Sequence, residues 1–220
     1  RHYRRQRQMC IRDRSNSEVW FCEGTEQIAA NLVEVSPTLM TAVPRLYEVL
    51  HDRIMRGVRT KGGVSETLFM MAVKLGRKKL AGRHLLPHEM IMDLICDKLV
   101  RTKVRQRLGG ELRYFISGGA ALSPEIGTFF MALGIKLLQG YGQTEASPLI
   151  SANRPGKIKI ETVGPPVAGI EVRIADDNEI LVRGDALMKG YWRDDASTRA
   201  SIRNGWLYTG DLGSIDEDGY

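Results

Sequence analysis

No stretch of this sequence approaches the roughly 18 to 20 consecutive apolar residues needed to span a bilayer. Nor does an apolar run follow the basic N-terminus, as a secretory signal would require. Cysteine is scarce: Cys10, Cys22 and Cys96 are odd in number, far apart and free of any C-x-x-C pair. That spacing argues against a disulfide framework and a thiolate zinc site, and it reads as reduced thiols in a cytoplasmic protein. His84 and His88 stand four apart, but Pro87 interrupts the helix that would bring them together, so metal ligation is not expected there.

Charge of one sign is also scarce once the N-terminus is set aside. Residues 1–16 hold six arginines against one aspartate, and the remaining residues hold 26 basic and 25 acidic groups. The formal net charge of +6 is then mainly a property of the tail, and the body is near neutral. The tail lacks helical or strand periodicity. It reads either as a basic arm for nucleic acid or an anionic lipid surface, or as a non-native end. A near-neutral body gives little support to nucleic acid as a partner.

What is present is the texture of an α/β protein of 220 residues, with 43% hydrophobic and 26% charged residues and 23 glycines. Up to about residue 150, short apolar runs alternate with amphipathic stretches, which predicts an open, mostly parallel sheet with helical crossovers. Leu39–Val43 reads as a buried strand, with Pro44 opening the helix that follows. Residues 65–80 and 88–105 read as helices. The stripe Leu68, Met71, Ala72 and Leu75 in the first faces either the core or an anionic membrane, and the core is favoured. Residues 112–116 and 135–138 are further strands, with Ser123 and Pro124 capping and opening the helix between them. Beyond about residue 160 the pattern alternates strictly. Ile170–Ile174, a turn at Asp176-Asp177-Asn178, and Glu179–Arg183 predict a hairpin. Asp194 or Asp195 caps a short helix, and extended chain resumes at Trp206. The expected organisation is a basic tail over 1–17, an α/β subdomain over 18–160 and a β-rich subdomain over 161–220.

Glycine-rich turns follow the strands where open α/β sheets place ligands: Gly118-Gly119-Ala120, then Gln139-Gly140-Tyr141-Gly142-Gln143-Thr144-Glu145. A third, Tyr208-Thr209-Gly210-Asp211, lies near the C-terminal end. The missing Cβ lets backbone approach a flat ligand, and Tyr141 can lie against a purine. Thr144 can reach a phosphate oxygen, Glu145 offers the hard oxygen that Mg²⁺ prefers, and Asp211 can accept from ribose hydroxyls. Each piece alone is also an ordinary turn, cap or packed aromatic. Their joint occurrence points to a nucleotide.

These motifs are similar to those of the adenylate-forming acyl-CoA synthetases. The likeness includes Pro37-Thr38, Val43-Pro44-Arg45, Ser117-Gly118-Gly119-Ala120, Tyr141-Gly142-Gln143-Thr144-Glu145, Val163-Gly164-Pro165-Pro166, Val182-Arg183-Gly184 and Tyr208-Thr209-Gly210-Asp211. Within that group the Val-Pro-Arg-Leu-Tyr-Glu run and the long basic helical segment that follows resemble the long-chain fatty acid–CoA ligases. The resemblance implies ATP, Mg²⁺ and CoA as cofactor and co-substrates, a fatty acid as substrate, and a cytoplasmic enzyme with peripheral contact to a membrane's inner face. It also implies that Gly118, Gly119, Ala120, Gln139, Gly140, Tyr141 and Gly142 line the adenine site. Thr144 would contact the α-phosphate, Glu145 would bind Mg²⁺ and Asp211 would hold the ribose. Thr144 and Glu145 are then the catalytic candidates. Medium-chain, aryl and amino-acid adenylating enzymes share the pattern, and a basic nucleic-acid- or membrane-binding module is the reading from another class.

Two pieces of the family pattern are not matched: a Ser/Thr/Gly-rich phosphate loop with its lysine, and a C-terminal domain carrying a catalytic lysine. The expectation is an internal piece of the large domain, inactive as a ligase by itself.

Overall fold

A computed structural model describes residues 16–220. Most of the tail expected over 1–17 therefore lies outside the described residues. The first body begins with helix α1 (Ile28–Val35), which leads into strand β1 (Leu39–Ala42). Val43 is extended and Pro44 occupies the first helical position of α2 (Pro44–Lys61), where a missing N–H costs nothing. Helix α3 (Gly63–Leu80) follows, then α4 (Pro87–Cys96), a π-helical turn (Asp97–Arg101) and α5 (Thr102–Arg107). Pro87 opens α4, so His84 precedes the helix that contains His88.

Strand β2 (Tyr114–Ser117) pairs in parallel with β1 and with β3 (Lys136–Tyr141), and α6 (Pro124–Ala132) forms the crossover between β2 and β3. The short β4 (Ser151–Ala152) closes this sheet against β3 in the antiparallel sense. The second sheet is wholly antiparallel, in the order β5 (Ile170–Ile174), β6 (Glu179–Gly184), β8 (Trp206–Leu212), β7 (Ile202–Arg203). Helix α7 (Asp195–Ser201) precedes β7, capped by Asp194, whose side chain accepts from the Ser197 N–H at 2.9 Å. The α/β architecture followed by a β-rich sheet is thus present.

Two local expectations change. The strand at residues 39–43 is an edge strand with half-exposed side chains, because no further strand flanks β1 among the described residues. The Ser123 side chain makes no capping bond at α6, although Pro124 still opens that helix.

The stripe on α3 faces inward: Ala72 and Leu75 are buried against the sheet's helical layer. An aromatic cluster of Tyr47, Phe115, Phe129 and Phe130 fills the centre, with Phe115 and Phe130 edge to face at 5.5 Å. The Tyr47 hydroxyl donates to the Ile116 carbonyl at 2.7 Å, which satisfies the one polar atom this ring buries. Burial pushes its pKa well above the ordinary tyrosine value.

Beneath the helices lies an ion network. Arg101, only 4% exposed, bonds Asp93 Oδ1 at 2.6 Å, the Ala72 carbonyl at 2.9 Å and the Ala132 carbonyl at 3.1 Å. Lys79 meets the second Asp93 oxygen at 3.0 Å. One guanidinium thus ties α3, α4 and α6 together. Burial pushes the Asp93 carboxyl up, but the Arg101 and Lys79 bonds outweigh it and hold its pKa below the usual range. Asp93 therefore stabilises the fold above its unfolded value near 3.8, and that contribution fades as pH falls toward the lower folded value. Replacing Arg101 with Met leaves Asp93 as a poorly compensated buried charge and is expected to cost about 3–5 kcal/mol. Urea unfolding at neutral pH and at pH 3 checks this: the variant should be weaker at neutrality and should show a smaller fall in stability below pH 4, the remainder coming from Glu89, Asp194 and Asp216, whose pKa values are also held low.

Candidate adenylate site

The site is built where the two sheets meet. Gly118 follows β2 and Gly140 lies near the end of β3, side by side at the carboxyl edge of the parallel strands. A Cβ on Gly118 would stand 3.5 Å from the Gly140 carbonyl. Gly119 and Ala120 continue along that edge and are exposed. Gly142 then sits where the chain doubles back to form β4. A Cβ there would fall 1.8 Å from the Pro148 carbonyl, so no other residue fits without moving the turn. Thr144 and Glu145 belong to the 3-10 turn Thr144–Ala146, with Thr144 exposed and Ala146 buried.

An apolar cluster joins the halves. Ala146 and Ile150 from the first pack with Ile170, Val182 and Leu207 of the second, and the Tyr141 ring lies against it. Over this cluster the two halves exchange hydrogen bonds in opposite directions. Tyr141 at the end of β3 donates its hydroxyl to Asp211 Oδ2 on β8 at 2.6 Å. Tyr191, from the segment between β6 and α7, donates to Glu145 Oε1 at 3.0 Å. The Met188 N–H also holds the Glu145 carbonyl at 2.7 Å.

Asp211 reaches Tyr141 because β8 bulges. Glu179 of β6 pairs with Leu212 and Leu181 with Tyr208, so four steps along β8 are set against two along β6. Thr209 stabilises the bulge by donating its hydroxyl to the Ile180 carbonyl at 2.7 Å and accepting from the Asp211 N–H at 3.1 Å. Gly210 turns with a φ of 73°, and its N–H donates to Glu179 Oε1 at 2.8 Å.

Tyr141, Glu145 and Asp211 are thus brought to one seam, and Gly118 and Gly140 to the sheet edge leading into it. Gln139 is placed differently from its neighbours. It is 6% exposed, and its amide is committed to the protein, with Nε2 donating to the Ile160 carbonyl and Oε1 accepting from the Leu122 N–H. It braces the edge from behind.

Sequence reasoning missed Tyr191, whose partner Glu145 lies 46 residues earlier; nothing in its local pattern signals the pairing. Two other polar side chains also went unassigned. Ser117 Oγ, on a residue 1% exposed, and Gln143 Nε2 are buried without a hydrogen-bond partner. Ser117 ends β2 and Gln143 follows β3, so both stand at the carboxyl ends of the strands that form the edge.

Burial, reinforced by the hydrogen bond to Asp211, pushes the Tyr141 hydroxyl up to about 12. Thr209 and Gln143 act weakly in the opposite direction; the Gln143 amide approaches the hydroxyl without completing a bond. Among the described residues, no group of three or more His, Cys, Asp or Glu forms a metal cluster. The donors suit an ion that one carboxylate shares with substrate phosphates.

A family model described as AMP-binding enzyme matches residues 16–192. The long-chain-fatty-acid–CoA ligase FadD15 of Mycobacterium bovis is 35% identical over 209 residues, covering 94% of this chain and 34% of that protein. The peroxisomal long chain acyl-CoA synthetase 6 of Arabidopsis thaliana is 34% identical over 213 residues, covering 89% and 29%. The chain spans about a third of the length of these relatives. In fold it is similar to an anthranilate CoA ligase crystallised with anthranoyl-AMP, with TM-score 0.59, 22% identity, and coverage of 93% of this chain and 33% of that one. The O-succinylbenzoate coenzyme A synthetase of Bacillus subtilis, solved with AMP, gives TM-score 0.55, 21% identity, and coverage of 89% and 32%.

Replacing Tyr141 with Phe should remove the bond to Asp211 and lower stability by about 0.5–1.5 kcal/mol. The raised pKa favours the neutral hydroxyl in the folded state. The stabilisation is therefore complete below pH 10 and is lost as pH rises toward about 12. A tyrosinate absorbance titration of wild type minus variant should show one group titrating near 12, and unfolding curves across that range should converge.

Proposed function

The chain belongs to the AMP-binding enzyme family, and on that premise we propose that it carries the adenylate-binding part of an AMP-forming long-chain fatty acid–CoA ligase. In the proposed reaction a fatty carboxylate oxygen attacks the α-phosphorus of ATP, the bond to pyrophosphate breaks, and an acyl-adenylate forms. The CoA thiol then attacks the acyl carbon, gives up its proton and releases AMP. The observation that carries this reading is the 2.6 Å bond between Tyr141 and Asp211, which brings the two nucleotide motifs to one seam although they lie 70 residues apart.

Each residue's task follows from its place. Asp211 Oδ2 is taken by Tyr141, leaving Oδ1 for ribose hydroxyls. The Tyr141 ring, fixed by that bond and by the apolar cluster, presents a flat face to the adenine. Gly118, Gly119, Ala120 and Gly140 let the base approach the backbone closely, and Ser117 and Gln143 have unused polar atoms at that edge. Thr144, exposed at the start of its turn, faces the α-phosphate. Glu145 keeps one oxygen free beside the Tyr191 bond and would hold Mg²⁺ there. Bound Mg²⁺ would supply positive charge shared between that carboxylate and the phosphates. Since the reaction spreads charge over phosphate oxygens, positioning and electrostatic stabilisation are what the chain contributes.

The long-chain preference rests on the Val43–Glu48 run, the long helical segment that follows it, and the names borne by the relatives above. No triphosphate loop or catalytic lysine is matched within the 220 residues. The chain by itself is thus proposed to bind adenylate without turnover, and formation of oleoyl-CoA from oleate, ATP and CoA by it would contradict this.

Calorimetric titration with AMP tests the site directly. Asp211→Ala should weaken AMP binding by about tenfold or more, the loss of a charge-assisted hydrogen bond. Glu145→Gln should leave AMP affinity nearly unchanged and abolish the strengthening of ATP binding by Mg²⁺. Equal AMP affinity in wild type and Asp211→Ala would overturn the assignment. In the full-length protein, ATP–pyrophosphate exchange across carboxylates of increasing length should peak with long fatty acids.

A further inference from the structure

Among the described residues no three His, Cys, Asp or Glu side chains gather around a cation position. A cation at Glu145 would not be caged by the chain's own acids, so the pose of this one carboxylate matters. A glutamate side chain is costly to freeze, and its order has to come from partners. Residues 185–194, the segment between β6 and α7, hold Glu145 at both ends. The Met188 N–H donates to its carbonyl at 2.7 Å, and the Tyr191 hydroxyl donates to Oε1 at 3.0 Å. Ala186 and Leu187 of the same segment pack against the apolar cluster beneath the seam, which seats the segment there.

Tyr191 is itself held from the far side. Its N–H donates to Thr198 Oγ1 at 2.9 Å, and the same hydroxyl donates onward to the Asp194 carbonyl at 2.8 Å. The Asp194 N–H returns a bond to the Tyr191 carbonyl at 3.4 Å, closing a ring at the head of α7. Asp194 is fixed in turn as the cap of that helix, through the Ser197 N–H. Gly190 lies hard against Thr198: a Cβ there would stand 2.8 Å from Cγ2 and 2.9 Å from Oγ1. The Thr198 hydroxyl thus spends its bonds on the Tyr191 backbone and the Asp194 carbonyl. Tyr191 is 37% exposed, so burial does not account for where its ring points. The bonds at its two ends do.

We propose that Tyr191 and Thr198 are positioning residues for Glu145. Thr198 fixes the Tyr191 backbone, Tyr191 fixes Oε1, and Oε2 is left in a set direction for the divalent cation that accompanies the nucleotide. The inference rests on the adenylate reading above and deepens it. Neither residue touches the cation or the reacting atoms. Partners that orient a ligating side chain commonly set metal affinity by about tenfold to a hundredfold, because they settle the ligand's pose before the ion arrives. Every bond in this relay runs between residues of the described chain.

Calorimetry on the full-length protein provides the test, with ATP in Mg²⁺ and in EDTA and no fatty acid present. The ratio of those two affinities reads the metal's contribution, and AMP in EDTA reads the nucleotide pocket alone. Tyr191→Phe should lower the ratio about tenfold while AMP affinity keeps its wild-type value. Thr198→Val should lower the ratio in the same direction, and Thr198→Ser, which keeps the hydroxyl, should match the wild type. The Mg²⁺ concentration giving half-maximal ATP–pyrophosphate exchange should rise by the same factor in Tyr191→Phe and Thr198→Val. An unchanged ratio in Tyr191→Phe would overturn the inference. So would a loss of AMP affinity as large as the loss in ratio, which would mark a merely structural role. Thr198→Ser behaving as Thr198→Val would remove Thr198 from the relay. Wild type that binds AMP but gains nothing from Mg²⁺ would overturn the metal role of Glu145 and this inference with it. Wild type that binds no AMP would overturn the adenylate reading on which both rest.

Discussion

Two sheets that share no strand pairing can hold a common site only if something else fixes their separation. Here a small apolar cluster does so, and the crossed tyrosine–carboxylate bonds above it convert that contact into a defined geometry. Tyr141 reaches from the parallel sheet to Asp211, and Tyr191 reaches back to Glu145. Each acid is oriented by a hydroxyl from the opposite half, so neither half contains a complete site. The burial of Ala146, Ile150, Val182 and Leu207 beneath them keeps both bonds within reach. Nucleotide binding would use what those bonds leave over: one oxygen on each acid, a clamped aromatic face, and the glycine edge of the parallel strands.

Much of this arrangement was legible in the sequence because it rests on local rules. Proline at first helical turns, the Asp194 cap, the alternating runs around Asp176-Asp177-Asn178 and the glycine turns after strands all report their own neighbourhood, and they place the elements. The motif residues were legible for the same reason, since Gly142 and Gly210 are fixed by backbone approach and by turn geometry. What could not be read was pairing at a distance. Nothing about Tyr191 announces Glu145, and Gln139, though inside a nucleotide-like motif, is drawn into bracing Ile160 and Leu122 by contacts that only the folded chain makes. The edge position of β1 was hidden likewise, because an apolar run does not say how many neighbours it will have.

The helical layer taught a different lesson. Amphipathic periodicity gives the direction of a stripe but not which side is inward. In α3 the apolar stripe is the buried one, as such patterns usually are. In α4 the inward side sets Asp93 beside Cys96 and Met92, because Arg101 supplies enough bonds to Asp93 and two carbonyls to make a buried charge tolerable there.

The bulge in β8 bears on how one strand serves the sheet and the seam together. Its surplus over β6 is two positions, an even number, so side chains beyond it resume the faces they would have held on an uninterrupted ladder. Asp211 is therefore carried on a detour, with the ladder resuming in phase beyond it. The detour lets the strand lend one carboxylate to the seam while its own ladder closes on either side.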